Sequence, residues 1–176
     1  TSSTKVSVLV EGSHFHGIHG LTTDSDGNIY VGSVVGMNIH KVDPNTSDVS
    51  LYQAAPEGQA DDLEFSDDGI LAWTAFTEGK VMSRDPRGNL KVLAEGLPGI
   101  NSIAYNLEGR LFATQVFLGD ALYEIDRDGA KPPRKIIEGM GGLNGFDFGP
   151  DGKLYGPLWF KGQVVQVDID SGELKV

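Results

Sequence analysis

Four residues with oxygen or nitrogen donors recur along the chain at nearly equal intervals. They are His19, Asp61, Asn101 and Asn144, called the repeat donors below, and successive members lie 40 to 43 residues apart. Aspartate and asparagine oxygens suit a hard cation such as calcium, whereas a histidine nitrogen shifts the preference toward zinc, manganese or iron. If the fold gathers the repeat donors, they predict one divalent metal ion, with calcium as the first choice and the other three as alternatives.

The spacing of the repeat donors belongs to a repeat of the whole sequence. Each donor opens a short apolar run, which is followed by a glycine-containing turn and a second apolar run, as in HGLTTDSDGNIYVGS and NGFDFGPDGKLYGPL. Asp-Gly between two such runs is a strong hairpin signal. Two further runs of alternating or β-branched residues complete each unit, and they read as strands. Four short strands in every unit of about 40 to 45 residues are typical of a β-propeller.

We therefore predict an all-β fold made of about four four-stranded blades. The predicted domain is a single partial propeller over 1–176, with blade units at about 19–58, 61–97, 101–140 and 144–176 and the outer strand of a preceding blade at 5–12. Because the chain opens on a fourth strand and stops within another, we expect a six-bladed propeller completed by further sequence or by a second polypeptide. A four-bladed propeller is the alternative, since propellers of roughly four to eight blades occur.

The first strand of each unit lines the central channel of a propeller, so the repeat donors would surround one axis at one mouth of that channel. His14 and His16 are expected near the same mouth, in the segment from His14 to His19 that holds three histidines. They occupy alternate positions, and alternate side chains of an extended segment share a face. Asp62 is also expected there. A purely structural role is the alternative, because Asn, Asp and His often begin strands by bonding nearby backbone.

Large aromatic side chains occupy the loops that follow the second strands. They are Phe76, Phe117, Trp159 and Phe160, with Gln115 beside them. An apolar wall above a few convergent polar groups is the usual form of a small-molecule site. We therefore predict that these five residues, together with His14 and His16, bind a small-molecule substrate. Packing between blades is the alternative for the aromatic side chains.

The composition excludes several other classes of function. The chain has 176 residues, a net charge of −11 and no cysteine, which excludes disulfides, thiolate metal sites and cysteine nucleophiles. A strongly acidic surface repels phosphate, so we expect no nucleic-acid partner and no anionic membrane partner. No apolar run approaches the roughly 18 residues that a membrane span needs. We expect a soluble protein, and the composition suits the cytoplasm and the periplasm equally.

The units NSIAYNLEGRLFAT and LNGFDFGPDGKLYG resemble the repeats of the senescence-marker-protein/gluconolactonase family, which is similar in turn to strictosidine-synthase-like and paraoxonase-like propellers. The resemblance covers nearly the whole chain as a blade pattern, and NHL-repeat propellers share that pattern. It implies six blades around one divalent metal held by a glutamate, two asparagines and an aspartate, with a nearby acidic residue as base. By position, Asn101 and Asn144 match the two asparagines. Asp61 holds the equivalent position one blade earlier, and His19 stands where a carboxylate is expected.

The predicted function is a metal-dependent hydrolase of a small, fairly apolar ester or lactone. Asp61, Asn101 and Asn144 are the predicted metal ligands, His19 is a ligand or proton shuttle, and Asp62 is the candidate base. A metal-dependent lyase similar to the streptogramin-inactivating propellers is one alternative, since such an enzyme would use a histidine base. A non-catalytic binding propeller of NHL type is the other alternative.

Overall fold

The computed structural model describes residues 4–12 and 14–176, and in these residues sixteen β-strands form four antiparallel sheets. Each sheet has four strands in the order in which they follow along the chain. The predicted all-β fold and its four blades are therefore confirmed. Within the same residues, no helix is long and apolar enough to cross a membrane.

Each blade is an antiparallel meander of four short strands. Blade 1 contains β1 (Leu21–Thr23), β2 (Ile29–Ser33), β3 (Asn38–Val42) and β4 (Val49–Gln53). Blade 2 contains β5 (Ala60–Phe65), β6 (Leu71–Ala75), β7 (Lys80–Arg84) and β8 (Leu90–Ala94). Blade 3 contains β9 (Ile100–Tyr105), β10 (Leu111–Gln115), β11 (Ala121–Ile125) and β12 (Arg134–Glu138). Blade 4 contains β13 (Asp147–Phe148), β14 (Leu154–Leu158), β15 (Gln163–Val167) and β16 (Leu174–Lys175).

Side chains at the turns between first and second strands fix the inner hairpins. The Asp24 Oδ1 atom accepts hydrogen bonds from the backbone N–H groups of Asp26 (3.1 Å) and Asn28 (2.9 Å). In blade 3, the Asn106 Oδ1 atom accepts the backbone N–H of Arg110 at 2.8 Å. Short polar side chains that bond the backbone ahead of them stabilise tight turns. These turns hold the register that places the start of every first strand at the same mouth.

The hydrophobic core lies between successive blades. One cluster of buried apolar side chains joins blades 1 and 2, a second joins blades 2 and 3, and a third joins blades 3 and 4. Trp73 is fully buried in the first cluster, and its Nε1–H donates to the Glu57 carbonyl at 2.7 Å. Because interiors pack at crystal-like density, each blade holds its neighbour at a fixed angle. The loops at the mouth are therefore presented by a rigid support.

The four sheets span residues 21–53, 60–94, 100–138 and 147–175, and the predicted bounds of the blade units stay a prediction. Residues 4–12 form no strand. An outer strand at 5–12 would need a partner that the four described sheets do not supply, so it stays a prediction. Leu21 on blade 1 and Val164 on blade 4 are exposed. A second polypeptide that completes the propeller also stays a prediction.

The junction between blades 1 and 2 is made by direct backbone contact. A Cβ atom at Gly20 would lie 2.7 Å from both the Asp61 carbonyl oxygen and the Asp62 Cα atom. Real Cβ atoms do not approach backbone atoms this closely, so only glycine fits between these first strands.

Substituting Gly20→Ala is expected to lower the free energy of unfolding by about 2 kcal/mol, because overpacking against backbone atoms cannot be relieved by a rotamer change. Urea unfolding followed by circular dichroism measures the loss. Leu21→Ala, at the exposed first residue of β1 next to Gly20, is the control and should change stability by less than about 0.5 kcal/mol. Equal effects of the two substitutions would contradict the steric argument.

The junction between blades 2 and 3 uses side-chain carboxylates. An Asp62 oxygen accepts the backbone N–H of Ile103 at 3.0 Å, and a Glu64 oxygen accepts the backbone N–H of Tyr105 at 2.6 Å. These N–H groups belong to β9, the edge strand of blade 3. The carboxylates therefore satisfy backbone donors that the sheet leaves free, as buried donors require.

Candidate functional site

The repeat donors all lie where a first strand begins. Asp61 and Asn101 are the second residues of β5 and β9, and His19 and Asn144 lie just before β1 and β13. His19 donates its backbone N–H to the Gly32 carbonyl at 3.0 Å. Asn144 donates to the carbonyl of the corresponding residue of blade 4, Pro157, at 3.1 Å. The equivalence read from the sequence is therefore repeated in the backbone hydrogen bonds.

Two of the repeat donors converge on one serine hydroxyl. The Ser102 Oγ atom lies 3.1 Å from Asn101 Oδ1 and 3.3 Å from Asn144 Oδ1, and it accepts the Gly145 N–H at 2.7 Å. A hydroxyl has one hydrogen to donate, so it can fully satisfy only one of the two amide oxygens at a time. Two neutral side-chain oxygens from adjacent blades therefore lie near the same hydroxyl, and each keeps a lone pair for a further hydrogen bond or a cation.

The other two repeat donors, His19 and Asp61, are near enough for a charge on one to affect the other. Burial raises the pKa of the Asp61 carboxyl to about 6; a protonated His19 would oppose this effect, and the Asp62 carboxylate adds to it. His19 Nδ1 accepts the backbone N–H of Val34 at 3.3 Å. A neutral imidazole that accepts at Nδ1 carries its proton on Nε2. In this arrangement His19 offers a hydrogen-bond donor, and its acceptor lone pair is already used.

Asp62, the candidate base, has both carboxylate oxygens engaged. Oδ1 accepts the Leu63 N–H at 3.0 Å, while Oδ2 makes the bond to Ile103 described above. Burial raises the pKa of Asp62, and the two backbone N–H donors oppose that effect. Its carboxylate joins blades 2 and 3 in this structure, and its catalytic role stays a prediction.

His14 and His16 lie against the third strand of blade 1. Burial lowers the pKa of His40 on β3, and the nearby charges of His14 and His16 lower it further. The Phe15 ring also meets the His40 ring edge to face, with centroids 5.6 Å apart. His40 was not among the predicted site residues, since nothing in the repeat singles it out. His14 and His16 therefore lie near His40 in blade 1.

The cation-binding capacity of the site depends on its asparagines. Across residues 4–12 and 14–176, no three histidine, aspartate or glutamate side chains come together as a metal-binding group. The oxygens of Asn101 and Asn144 do converge, and oxygen donors of this kind suit calcium. The residues present therefore fit a hard cation better than zinc, for which histidine and thiolate ligands are usual.

The aromatic side chains of blades 3 and 4 form an open cluster. The Phe117 ring lies edge to face with Trp159 at 5.9 Å and with Phe160 at 5.8 Å. Their exposed fractions are 50%, 63% and 62% in that order. Phe76 is half-buried in the β6–β7 loop. The structure thus brings together three of the four predicted aromatic residues.

Gln115 differs from these aromatic residues because it is buried. Its Nε2 donates to the Pro98 carbonyl at 2.8 Å, and its Oε1 accepts the Tyr123 hydroxyl at 2.8 Å. Both ends of the amide are therefore bonded, one to blade 3 and the other to the connection that leads into it. Contact with a substrate would require one of these bonds to be replaced, and the predicted binding role stays a prediction.

Sequence reasoning missed Ser102 and Thr114. Thr114 on β10 is fully buried, and its Oγ1 has no hydrogen-bond partner among the described residues. The equivalent residue of blade 2, Thr74, donates its hydroxyl to the Asn101 carbonyl. An alignment of the second strands ILAWTA and RLFATQ places Thr74 and Thr114 at the same position. In the same way, the position after each repeat donor holds a hydroxyl side chain only in blade 3, at Ser102. An alignment of the repeats could therefore have identified both residues.

No family model matches the sequence, and no curated protein matches it. Solved structures that resemble the fold include a streptogramin B lyase, with TM-score 0.78 and 18% identity over 90% of this chain and 53% of that chain. A chain of a nidogen/laminin complex has TM-score 0.67 and 15% identity over 90% and 78%. A protein assigned as a candidate gluconolactonase has TM-score 0.68 and 12% identity over 88% and 60%. The chain thus spans about half the length of the streptogramin B lyase. These likenesses support the β-propeller fold.

Proposed function

We propose that this chain carries the reaction centre of a metal-dependent hydrolase that acts on a small, fairly apolar ester or lactone. The convergence of the Asn101 and Asn144 side-chain oxygens at Ser102 supports the proposal most directly. These two oxygens, with the Asp61 carboxylate, would hold a hard cation, calcium first. When bound, the cation supplies Lewis-acid polarisation of the ester carbonyl. Neutral amide ligands suit this task, because they leave the cation's charge largely uncompensated.

His19 supplies a proton donor in this proposal. Its Nδ1 accepts the Val34 N–H, so the neutral ring keeps its proton on Nε2 and can donate from there. A donor placed beside a departing alkoxide or a developing oxyanion lowers the barrier to ester cleavage. This hydrogen bond supports His19 as a proton shuttle rather than a metal ligand, and in the proposal the oxygen donors are the ligands.

The base of the reaction is Asp62 in this proposal, as its position beside Asp61 suggests. Its two oxygens hold the Leu63 and Ile103 N–H groups, so each keeps a further lone pair that could accept a proton from water. The half-buried environment that raises the pKa of Asp62 makes the carboxylate a stronger base than an exposed aspartate.

A metal-dependent lyase is the second candidate, favoured by the likeness to a streptogramin B lyase at TM-score 0.78. A lyase needs a base that removes a proton next to the leaving group, and water does not enter its product. His19 would be that base, yet its Nδ1 lone pair already accepts the Val34 N–H. This arrangement supports hydrolysis as the first candidate.

Ester and lactone cleavage by the full chain in ¹⁸O-labelled water tests the proposal. The probes are aryl acetates and δ-lactones, assayed after EDTA treatment and again after addition of calcium, manganese or zinc. We expect turnover only with a cation, and one heavy oxygen in the acid product. An unlabelled, unsaturated product would identify a lyase. Absence of both cation binding and turnover would favour a non-catalytic binding propeller and reject the proposal.

Substituting His19→Ala is expected to lower kcat about 100-fold, as loss of one hydrogen-bond donor to a developing oxyanion does, without changing the affinity for calcium. The measurements are the pH profile of kcat and a calorimetric calcium titration. His19→Gln restores a side-chain N–H donor and should recover part of the loss. A parallel loss of calcium affinity would instead make His19 a metal ligand.

A further inference from the structure

The loop between β10 and β11 contains a strained turn centred on an aromatic residue. Phe117 has φ of 70°, and the Leu118 N–H donates across it to the Val116 carbonyl at 2.9 Å. A hydrogen bond that spans one residue with positive φ defines the rarer and more strained form of the γ-turn. Residues other than glycine seldom adopt this conformation, and strain of this kind concentrates at ligand-binding sites.

The surrounding structure holds this turn in place on both sides. The Val116 side chain is fully buried, and its backbone N–H donates to the Gly99 carbonyl at 3.0 Å. A Cβ atom at Gly99 would lie 2.7 Å from the Val116 carbonyl oxygen and 2.9 Å from the Leu118 Cβ atom. The chain thus packs tightly around the turn while it leaves half of the Phe117 side chain exposed.

The turn places Phe117 against the loop of the next blade, close to Asn144. The Trp159 N–H donates to the Gly142 carbonyl at 2.7 Å, and the Phe160 N–H donates to the Gly141 carbonyl at 3.0 Å. These two glycines immediately precede the Leu143–Asn144 segment. The three aromatic rings therefore adjoin the side of the candidate site that carries Asn144.

We propose that Phe117, Trp159 and Phe160 bind an aromatic ring carried by the substrate. This inference rests on the proposed function and narrows its substrate class to aryl-bearing esters or lactones. Phe117 stands at 75° to Trp159 and at 88° to Phe160. Perpendicular, half-exposed rings present both edges and faces, and a further ring gains edge-to-face contacts that a saturated ring of similar size cannot make. Rigid aromatic side chains also lose little entropy when they bind.

Binding of benzyl acetate and of cyclohexylmethyl acetate to the full chain tests the inference. The titrations are made in EDTA, so that the result does not depend on turnover, and they are followed by Trp159 fluorescence. Trp73, the other of the two tryptophans, is fully buried and gives a constant background. We expect benzyl acetate to bind at least about fivefold more tightly, the change expected of one aromatic contact.

Phe117→Gly separates a binding role from a structural one. The substitution removes the ring and relieves the strained backbone, so the melting temperature should not fall while the preference for benzyl acetate is lost. Leu118→Ala, at the neighbouring exposed position, is the control and should leave the preference intact. Equal affinities of the two probes for the unaltered chain, or a preference that survives in Phe117→Gly, would overturn the inference. Neither result depends on whether the esters are hydrolysed.

Discussion

Asn144→Ala is expected to lower cation-dependent ester hydrolysis at least about 100-fold, as loss of a group that positions the electrophile does, while the melting temperature stays within a few degrees. The expectation follows because Asn144 is only partly buried and its Oδ1 lies at the Ser102 hydroxyl. Removal of the amide deletes one oxygen donor and leaves the backbone bond to Pro157 intact. Steady-state kinetics measures the loss of hydrolysis, a calorimetric calcium titration tests whether cation binding is lost with it, and thermal unfolding gives the melting temperature.

Two further variants make the Asn144 result specific. Asn144→Asp keeps an oxygen at the same place and should retain calcium binding. Asn45→Ala, at an exposed position in the turn between β3 and β4 of blade 1, should change neither activity nor calcium affinity. Asn101 is less suitable for this test, because it is buried and its carbonyl accepts the Thr74 hydroxyl. Unchanged activity of Asn144→Ala would remove the metal hypothesis.

Glu64→Gln is expected to stabilise the protein at pH 8 by roughly 3 kcal/mol and to leave its stability at pH 4 nearly unchanged. Burial raises the pKa of Glu64 to about 7; the Tyr105 N–H opposes this, and the Asp147 and Asp62 carboxylates add to it. The folded state therefore holds the Glu64 proton more tightly than the unfolded state, whose pKa is the ordinary 4.5. The resulting stability is complete below that value and is lost as the pH rises toward 7.

Glutamine keeps an oxygen for the Tyr105 N–H and carries no charge, so the substitution removes the titration without removing the hydrogen bond. Urea unfolding at several values of pH measures the change in slope. The exposed Glu108 offers a matched control, since Glu108→Gln should leave the pH dependence as it is. If the Glu64→Gln variant still lost this stability as the pH rose from 4.5 to about 7, the Glu64 carboxylate would not be the source of the loss.

The fold and part of the candidate site could be predicted because both follow from the repeated sequence pattern. Each unit carries its own turn and its own alternating strands, so the four blades follow from local patterns. Register equivalence then places the repeat donors at the same end of every first strand. The approach of the Asn101 and Asn144 oxygens to each other follows from the packing of blade 3 on blade 4.

Features outside the repeat could not be predicted in this way. His14 and His16 belong to an irregular segment, and their position beside His40 depends on packing that no periodicity encodes. The left-handed conformation of Phe117 is equally hidden, because a phenylalanine gives no signal for positive φ,. The burial of Gln115 depends on Tyr123 and Pro98, which meet it only in the folded blade.

Gly20, Asp62 and Ser102 hold the same place in three successive first strands, yet they join their neighbours by a bare backbone, a carboxylate and a hydroxyl. The blades of this propeller are therefore not interchangeable modules. A chimera that duplicated or reordered them would put a carboxylate where no atom fits, or strip an acceptor from a neighbouring strand. If such a chain evolved by blade shuffling, each new junction between blades would need compensating substitutions in the residues that join the first strands.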